Sequence, residues 1–197
     1  MSFEMETDAE IGGGESQFLN EPGTYHCVIM TVHEGEGPKG GQIDGFSVGL
    51  SVLDGTTKGQ EDKQINLCFF SPNLDKSESS NAWARKRQTA FAVAAELIDL
   101  AKVGGKVNVN LDDAVGCQIM VNLETNEYQG RSNLQVAYAN IYHVDDPRAA
   151  KFPKKNEAIE LIPKQMRRPA EYFASLTKKA NGTNPAAKLS EADLATL

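Results

Sequence analysis

Between Thr24 and Val144 the spacing of apolar residues changes period twice, and this double change constrains the fold more than any other feature of the chain. Thr24 to His33 is rich in Tyr, Val, Ile and Thr and follows the turn pair Pro22-Gly23, which predicts a first strand. Phe46, Val48, Leu50 and Val52 alternate with Ser47, Gly49 and Ser51, predicting a half-buried second strand over 46–53. In a third strand, 63–70, Ile65, Leu67 and Phe69 face one way while Gln64, Asn66, Cys68 and Phe70 face the other. The period then becomes helical: Trp83, Arg87, Phe91, Ala94 and Ile98 share one face of a helix capped by Ser79 or Ser80 and running to about Leu100, with Trp83 expected in the core. Alternation returns at Cys117, Ile119, Val121 and Leu123, and Leu134 to Val144 is a further β-rich stretch joined through a polar turn spanning Glu124 to Arg131. Val107 to Leu111 is left as a short strand or a loop.

The segments between are read from their breakers. Glu34 to Asp44 carries four glycines and one proline, which predicts a long loop between the first two strands. Residues 1–20 hold five acids, no Lys or Arg, and the run Gly12-Gly13-Gly14, and are expected to form a flexible acidic arm. Charge divides the remainder at Pro147. Residues 1–146 carry 10 Lys+Arg against 22 Asp+Glu, and residues 147–197 carry 10 against 5. The expected organisation is therefore an acidic arm (1–20), a β-rich body (21–146) and a basic tail of helical fragments (147–197) in which Pro163 and Pro169 punctuate the helices.

Neither a signal peptide nor a long apolar span is evident, so a cytoplasmic protein without a membrane partner is expected. Cys27, Cys68 and Cys117 read as buried thiols of a reducing compartment.

Three strands, a helix and two strands is the chain order of an OB-fold, a five-stranded, partly open Greek-key barrel that binds ligands across strands two and three and through its loops. Pro22-Gly23-Thr24-Tyr25, Ile29, the Gly-rich loop, Leu50 to Leu53, Gly55, Gly59, Asn66-Leu67, Pro72-Asn73 and Ala84-Arg85 carry a more specific likeness, continued at Val115-Gly116-Cys117, Gly130, Val136 and Tyr138. Over residues 21–144 the chain resembles a phage-encoded family of OB-fold proteins regarded as single-stranded-DNA-binding-like. The resemblance implies a mainly β, five-stranded barrel that acts beside replication and recombination enzymes in a host cell's cytoplasm. The acidic arm and basic tail depart from the family's pattern.

Single-stranded nucleic acid is held by rings on which bases stack and by cations along the phosphates. Phe70, on the Gln64–Asn66 face, and Tyr128, in the last hairpin turn, are the stacking candidates, whereas Phe46 and Phe69 fall on the core face. Lys39, Lys58, Lys63 and Arg131 are the accompanying cations, Asn66 lies on the same strip, and Arg85 and Lys86 on the helix are candidate phosphate or partner contacts. Ser47, Gly49 and Ser51 leave a smooth uncharged track along strand two. The tail cations Lys154, Lys155, Lys164, Arg167, Arg168, Lys178 and Lys179 either contact phosphate or pair with the acidic body.

Enzyme readings find little support. His26, His33 and His143 lack metal-ligand spacing, and Asp54, Glu61, Asp62, Asp112 and Asp113 fall in predicted turns, where acids are common. The three glycines lack the Lys-Ser/Thr of a phosphate loop. No cofactor, metal or catalytic residue is expected. The expected function is single-stranded DNA binding with little sequence preference, the alternative being a protein-interaction or assembly module of a replication complex on the same barrel.

Overall fold

A computed structural model describes residues 17–128, 130–160 and 168–173, and the side chains of Tyr128 and Arg131 fall outside that description. The expected helices beyond Phe173, and Lys164, Arg167, Lys178 and Lys179, also lie outside the described residues.

The chain folds into five strands, β1 (Gly23–Glu36), β2 (Gln42–Gly55), β3 (Gln64–Phe70), β4 (Gln118–Tyr128) and β5 (Arg131–His143), with helix α1 (Glu78–Ala94) between β3 and β4 and a short α2 (Asn156–Glu160) after them. They form one antiparallel sheet in the order β3-β2-β1-β4-β5. Strands β1 to β3 are a meander and β4 returns beside β1, which is Greek-key order. Alternation places Tyr25, Cys27, Ile29, Val48, Leu50, Val52, Leu67, Phe69, Ile119 and Val121 in one core.

The sheet is not a closed barrel, because β3 and β5 make no ladder with each other among the described residues. Helix α1 lies between those two edges: Gln88 Nε2 donates to the carbonyl of Phe70 at the end of β3, at 3.0 Å, while Lys86 Nζ donates to Tyr138 Oη of β5, also at 3.0 Å. Residues two apart on one helix thus touch opposite edges of the ladder, so the sheet curls around the helix. Phe91 fills the interior there, with ring centroids 5.4 Å from Phe46 and 4.9 Å from Phe69.

Several boundaries differ from expectation. The 34–44 loop shrinks to residues 37–41, because Glu34–Phe46 and Glu36–Gln42 pairings extend the hairpin through an irregularity at Gly35, whose φ of 72° suits glycine. The turn expected from Glu124 to Arg131 is also mostly strand, since β4 and β5 pair as far as Tyr128 and Arg131. Of the two readings open for Val107 to Leu111, the loop is found over 107–110, and Leu111 opens a single 3-10 turn.

Helix α1 is capped by Ser77, whose side chain accepts from Ser80 N–H, and it ends at Ala94. Glu96 adopts a left-handed φ of 57° and Leu97 N–H bonds back to Ala92 carbonyl, so the alanine-rich pattern runs past the end of the helix. Asn81 holds the preceding loop by exchanging hydrogen bonds with the Asn73 backbone, at 2.9 and 2.8 Å.

Residues 17–19 and the described part of the tail dock more closely than the charge pattern implies. Leu19 is buried in the core, its N–H bonds Gln64 carbonyl, and Phe18 makes a parallel bridge to Gln64. Residues 17–19 of the expected arm are therefore packed with the body. The first part of the tail covers the second face of β1, β4 and β5, where His26, Met120 and His143 are buried. Gln118 Nε2 donates to Ala158 carbonyl at 2.9 Å, Lys155 N–H to His26 Nδ1 at 3.1 Å, and Phe173 packs 5.4 Å from His143. The expected helical fragments are present at Asn156–Glu160 and 170–173, but they pack against the sheet as a second covered face rather than lying loose.

Candidate nucleic-acid interface

The face of the β1–β2–β3 meander turned away from the core is built in rows by register. Thr31, Gly49 and Asn66 form one row; His33, Ser47 and Cys68 form the next. Between Gly45 and Ser51 on β2, and along β3, this face carries no formally charged side chain. A Cβ on Gly49 would stand 2.5 Å from Thr31 Oγ1 and 3.4 Å from Asn66 Oδ1, so the glycine is what keeps the strip smooth. Ser47 turns its hydroxyl to Glu36 carbonyl at 2.6 Å and is buried, leaving less of the strip open than alternation predicts. Cys68 is half-buried rather than buried, and no disulfide joins Cys27, Cys68 or Cys117.

At the far end of β3 the strip reaches aromatic surface. Phe70 is 44% exposed, Trp83 of α1 is 37% exposed and Tyr138 of β5 is 55% exposed. Each ring has a cation beside it: Lys76 Nζ lies 5.4 Å from the Phe70 centroid, the Arg87 guanidinium carbon 4.7 Å from Trp83, and Lys86 Nζ 5.6 Å from Tyr138. Phe70, Lys76, Ser79, Ser80, Trp83 and Ala84 line an open, largely apolar depression of about 550 Å³.

Arg87 holds the wall of this depression. Its side chain runs between Trp83 and Phe69, whose centroid is 5.3 Å from the guanidinium, and the residue is only 8% exposed. Burial lowers its pKa from the ordinary arginine value, and its Nε has no hydrogen-bond partner among the described residues. Stacking on two rings compensates part of that desolvation.

The sequence-selected residues separate into groups. Phe70, Asn66 and Lys86 lie on or beside this surface, and Lys39 sits in the β1–β2 loop at the same end of the sheet. Lys58 and Lys63 occupy the β2–β3 turn, six strand residues or about 20 Å from Phe70, so they do not join it. Lys58 is also paired with Asp54 at 3.0 Å, and Arg85 is paired with Glu78. The fold brings Tyr128 and Arg131 opposite one another at the tip of the β4–β5 hairpin.

Trp83, Lys76 and Tyr138 are absent from the sequence-based set. Helical periodicity put Trp83 in the core, but its turn of the helix overhangs the edge of β3, so the ring is half open. Tyr138 lies where residues 137–140 of β5 stand opposite Asn122 alone, and its φ of 55° marks the irregularity that turns it outward. Its occurrence inside an otherwise β-rich run gave no period to detect. The one available signal was Lys76-Ser77, a cation followed by a capping residue shortly after Phe70.

The tail cations that are described pair with the body. Arg168 Nε donates to Glu96 Oε1 at 2.8 Å and its N–H to Asp145 Oδ2 at 2.8 Å, while Lys154 Nζ donates to Val144 carbonyl. His143 Nε2 stands 3.3 Å from Glu96 in this cluster, and burial lowers its pKa despite the Glu96, Asp145 and Asp146 charges. Among the described residues, no group of three His, Cys, Asp or Glu is placed to hold a metal ion, and no helix is long and apolar enough to cross a membrane. No family model matches the chain, and no curated protein matches it significantly.

Proposed function

We propose that the chain is an OB-fold protein that binds single-stranded DNA with little sequence preference, in support of phage-type DNA replication or recombination. The observation carrying this reading is the set of three exposed rings, Phe70, Trp83 and Tyr138, each with its own cation at 4.7 to 5.6 Å. Rings supply stacking that is indifferent to base identity, and Lys76 and Lys86 are placed to meet the phosphates between stacked bases, while the buried Arg87 backs the Trp83 ring. The uncharged strip through Asn66 and Gly49 continues the path along β2 and β3 without side chains that repel a polyanion. The Greek-key order and the helix between β3 and β4 support the OB-fold assignment, with α1 standing where a closed barrel pairs its third and fifth strands.

Titration of labelled oligo-dT against a duplex of equal length tests this reading. Binding is expected for the single strand, with quenching of the sole tryptophan, Trp83, and a steep loss of affinity from low to moderate salt. Absence of binding at low salt overturns it in favour of a protein-assembly module.

A further inference from the structure

The aromatic and cationic depression on the surface of the body has a candidate occupant in the chain itself. Residues 2–11 alternate without exception: Glu4, Glu6, Asp8 and Glu10 fall on even positions, and Phe3, Met5, Thr7, Ala9 and Ile11 on odd ones. Drawn out as an extended chain, this segment presents carboxylates about 7 Å apart along one side and an apolar row along the other. A single strand of DNA divides its chemistry the same way, into a line of anions and a line of stackable groups.

Where the segment is tethered makes the contact geometrically accessible. Phe18 bridges Gln64 in parallel and Leu19 is buried, so the chain is anchored at the start of β3. From Gln64 to Phe70 is about 20 Å of strand, whereas residues 2–11 span up to about 33 Å when extended. The parallel sense of the bridge points the chain before Gln17 away from Phe70, and a reversal is therefore needed. Gly12-Gly13-Gly14 lies between the anchor and the alternating segment, where tight backbone reversal costs least. Charge is complementary: residues 1–16 have five acids and no Lys or Arg, and the surface offers Lys76 and Lys86, with the buried Arg87 charge behind Trp83.

We propose that residues 2–11 dock in cis on the Phe70–Trp83 depression and its flanking cations, competing there with single-stranded nucleic acid. The competition rests on the nucleic-acid reading above; the docking does not. Displacement of the segment then becomes part of binding, and apparent affinity falls by the fraction of molecules in which the surface is already covered.

The sole tryptophan makes docking measurable without any nucleic acid. Acrylamide quenching of Trp83 is compared between the full-length protein and a full-length variant carrying Glu4→Gln, Glu6→Gln, Asp8→Asn and Glu10→Gln, at low and high salt. The native protein is expected to be the more protected at low salt, with the difference closing at high salt. A second variant, Phe3→Ser with Met5→Ser, leaves the charge unchanged and is expected to lose protection at both salts. Equal quenching of all three proteins overturns the docking, as does protection that grows with protein concentration, which assigns the occupant to a second copy. Oligo-dT titration follows, and the charge-neutralised variant is expected to bind about tenfold more tightly at low salt. If quenching differs but no form binds oligo-dT, the docking stands and the nucleic-acid reading fails. If all forms bind alike with identical quenching, the docking fails and the reading survives.

Discussion

Lowering the pH tests how His26 holds the tail against the sheet. The ring is fully buried, and its Nδ1 accepts the Lys155 N–H at 3.1 Å, so the native state requires a neutral imidazole with its proton on Nε2. Burial moves its pKa from 6.5 to about 4, with the neighbouring Gln118 side chain opposing the shift, Lys154 adding to it and Asp54 opposing it. Below pH 6.5 the unfolded chain takes up a proton that the native protein refuses until the pH nears 4. Stability present above pH 6.5 is therefore lost as the pH falls through that interval. The full difference corresponds to about 3 kcal/mol, most of which is gone by pH 4.5. Urea unfolding followed by circular dichroism at pH 7.5 and 4.5 measures the loss. His26→Asn retains an acceptor near the Nδ1 position and cannot titrate, so its acid-induced loss should be smaller than the wild type's by about that amount. His143 remains in both proteins, and its own lowered pKa cancels in the comparison to first order. Parallel losses in the two proteins would refute the assignment of His26 as a buried neutral acceptor.

Other expected outcomes follow from local geometry. Phe70→Ala and Trp83→Leu should each weaken oligo-dT binding by about 1–3 kcal/mol while the far-ultraviolet circular dichroism spectrum stays unchanged. Gly45→Ala should cost about 3 kcal/mol or more in a urea titration, because its φ is 144° and a Cβ would stand 2.0 Å from Phe69 carbonyl oxygen. Phe91→Ala removes the ring that packs on both Phe46 and Phe69 and should cost about 3–5 kcal/mol in the same assay.

Alternation made β2 and β3 legible because one face of each is core: Val48, Leu50, Leu67 and Phe69 are buried, while Asn66 and Phe70 are not. It failed to describe β4 fully because Gln118 and Met120 are buried as well, under a tail segment whose docking depends on contacts some forty residues away. Glycine is read as a loop former over Glu34 to Asp44, yet Gly35 lies at an irregularity within β1, and Gly45, just past that loop, lies within β2 where close backbone approach requires it. The interface was legible at Phe70, whose strand parity decides its exposure. It was not legible at Trp83 and Tyr138, whose exposure depends on where a helix overhangs a sheet edge and on a broken register. Lys58 and Arg85 were chosen as cations without sight of Asp54 and Glu78, each close enough to neutralise them.

Covering β1 and β4 on both sides has a practical consequence for anyone shortening this protein. A cut placed at Pro147, where the charge balance reverses, would strip off Ala158, Ile159 and Phe173 and wet Met120, His26 and His143. The fragment would begin its existence with a greasy flank and with the His26 imidazole stripped of its Lys155 partner, and would be expected to precipitate rather than behave as an autonomous module.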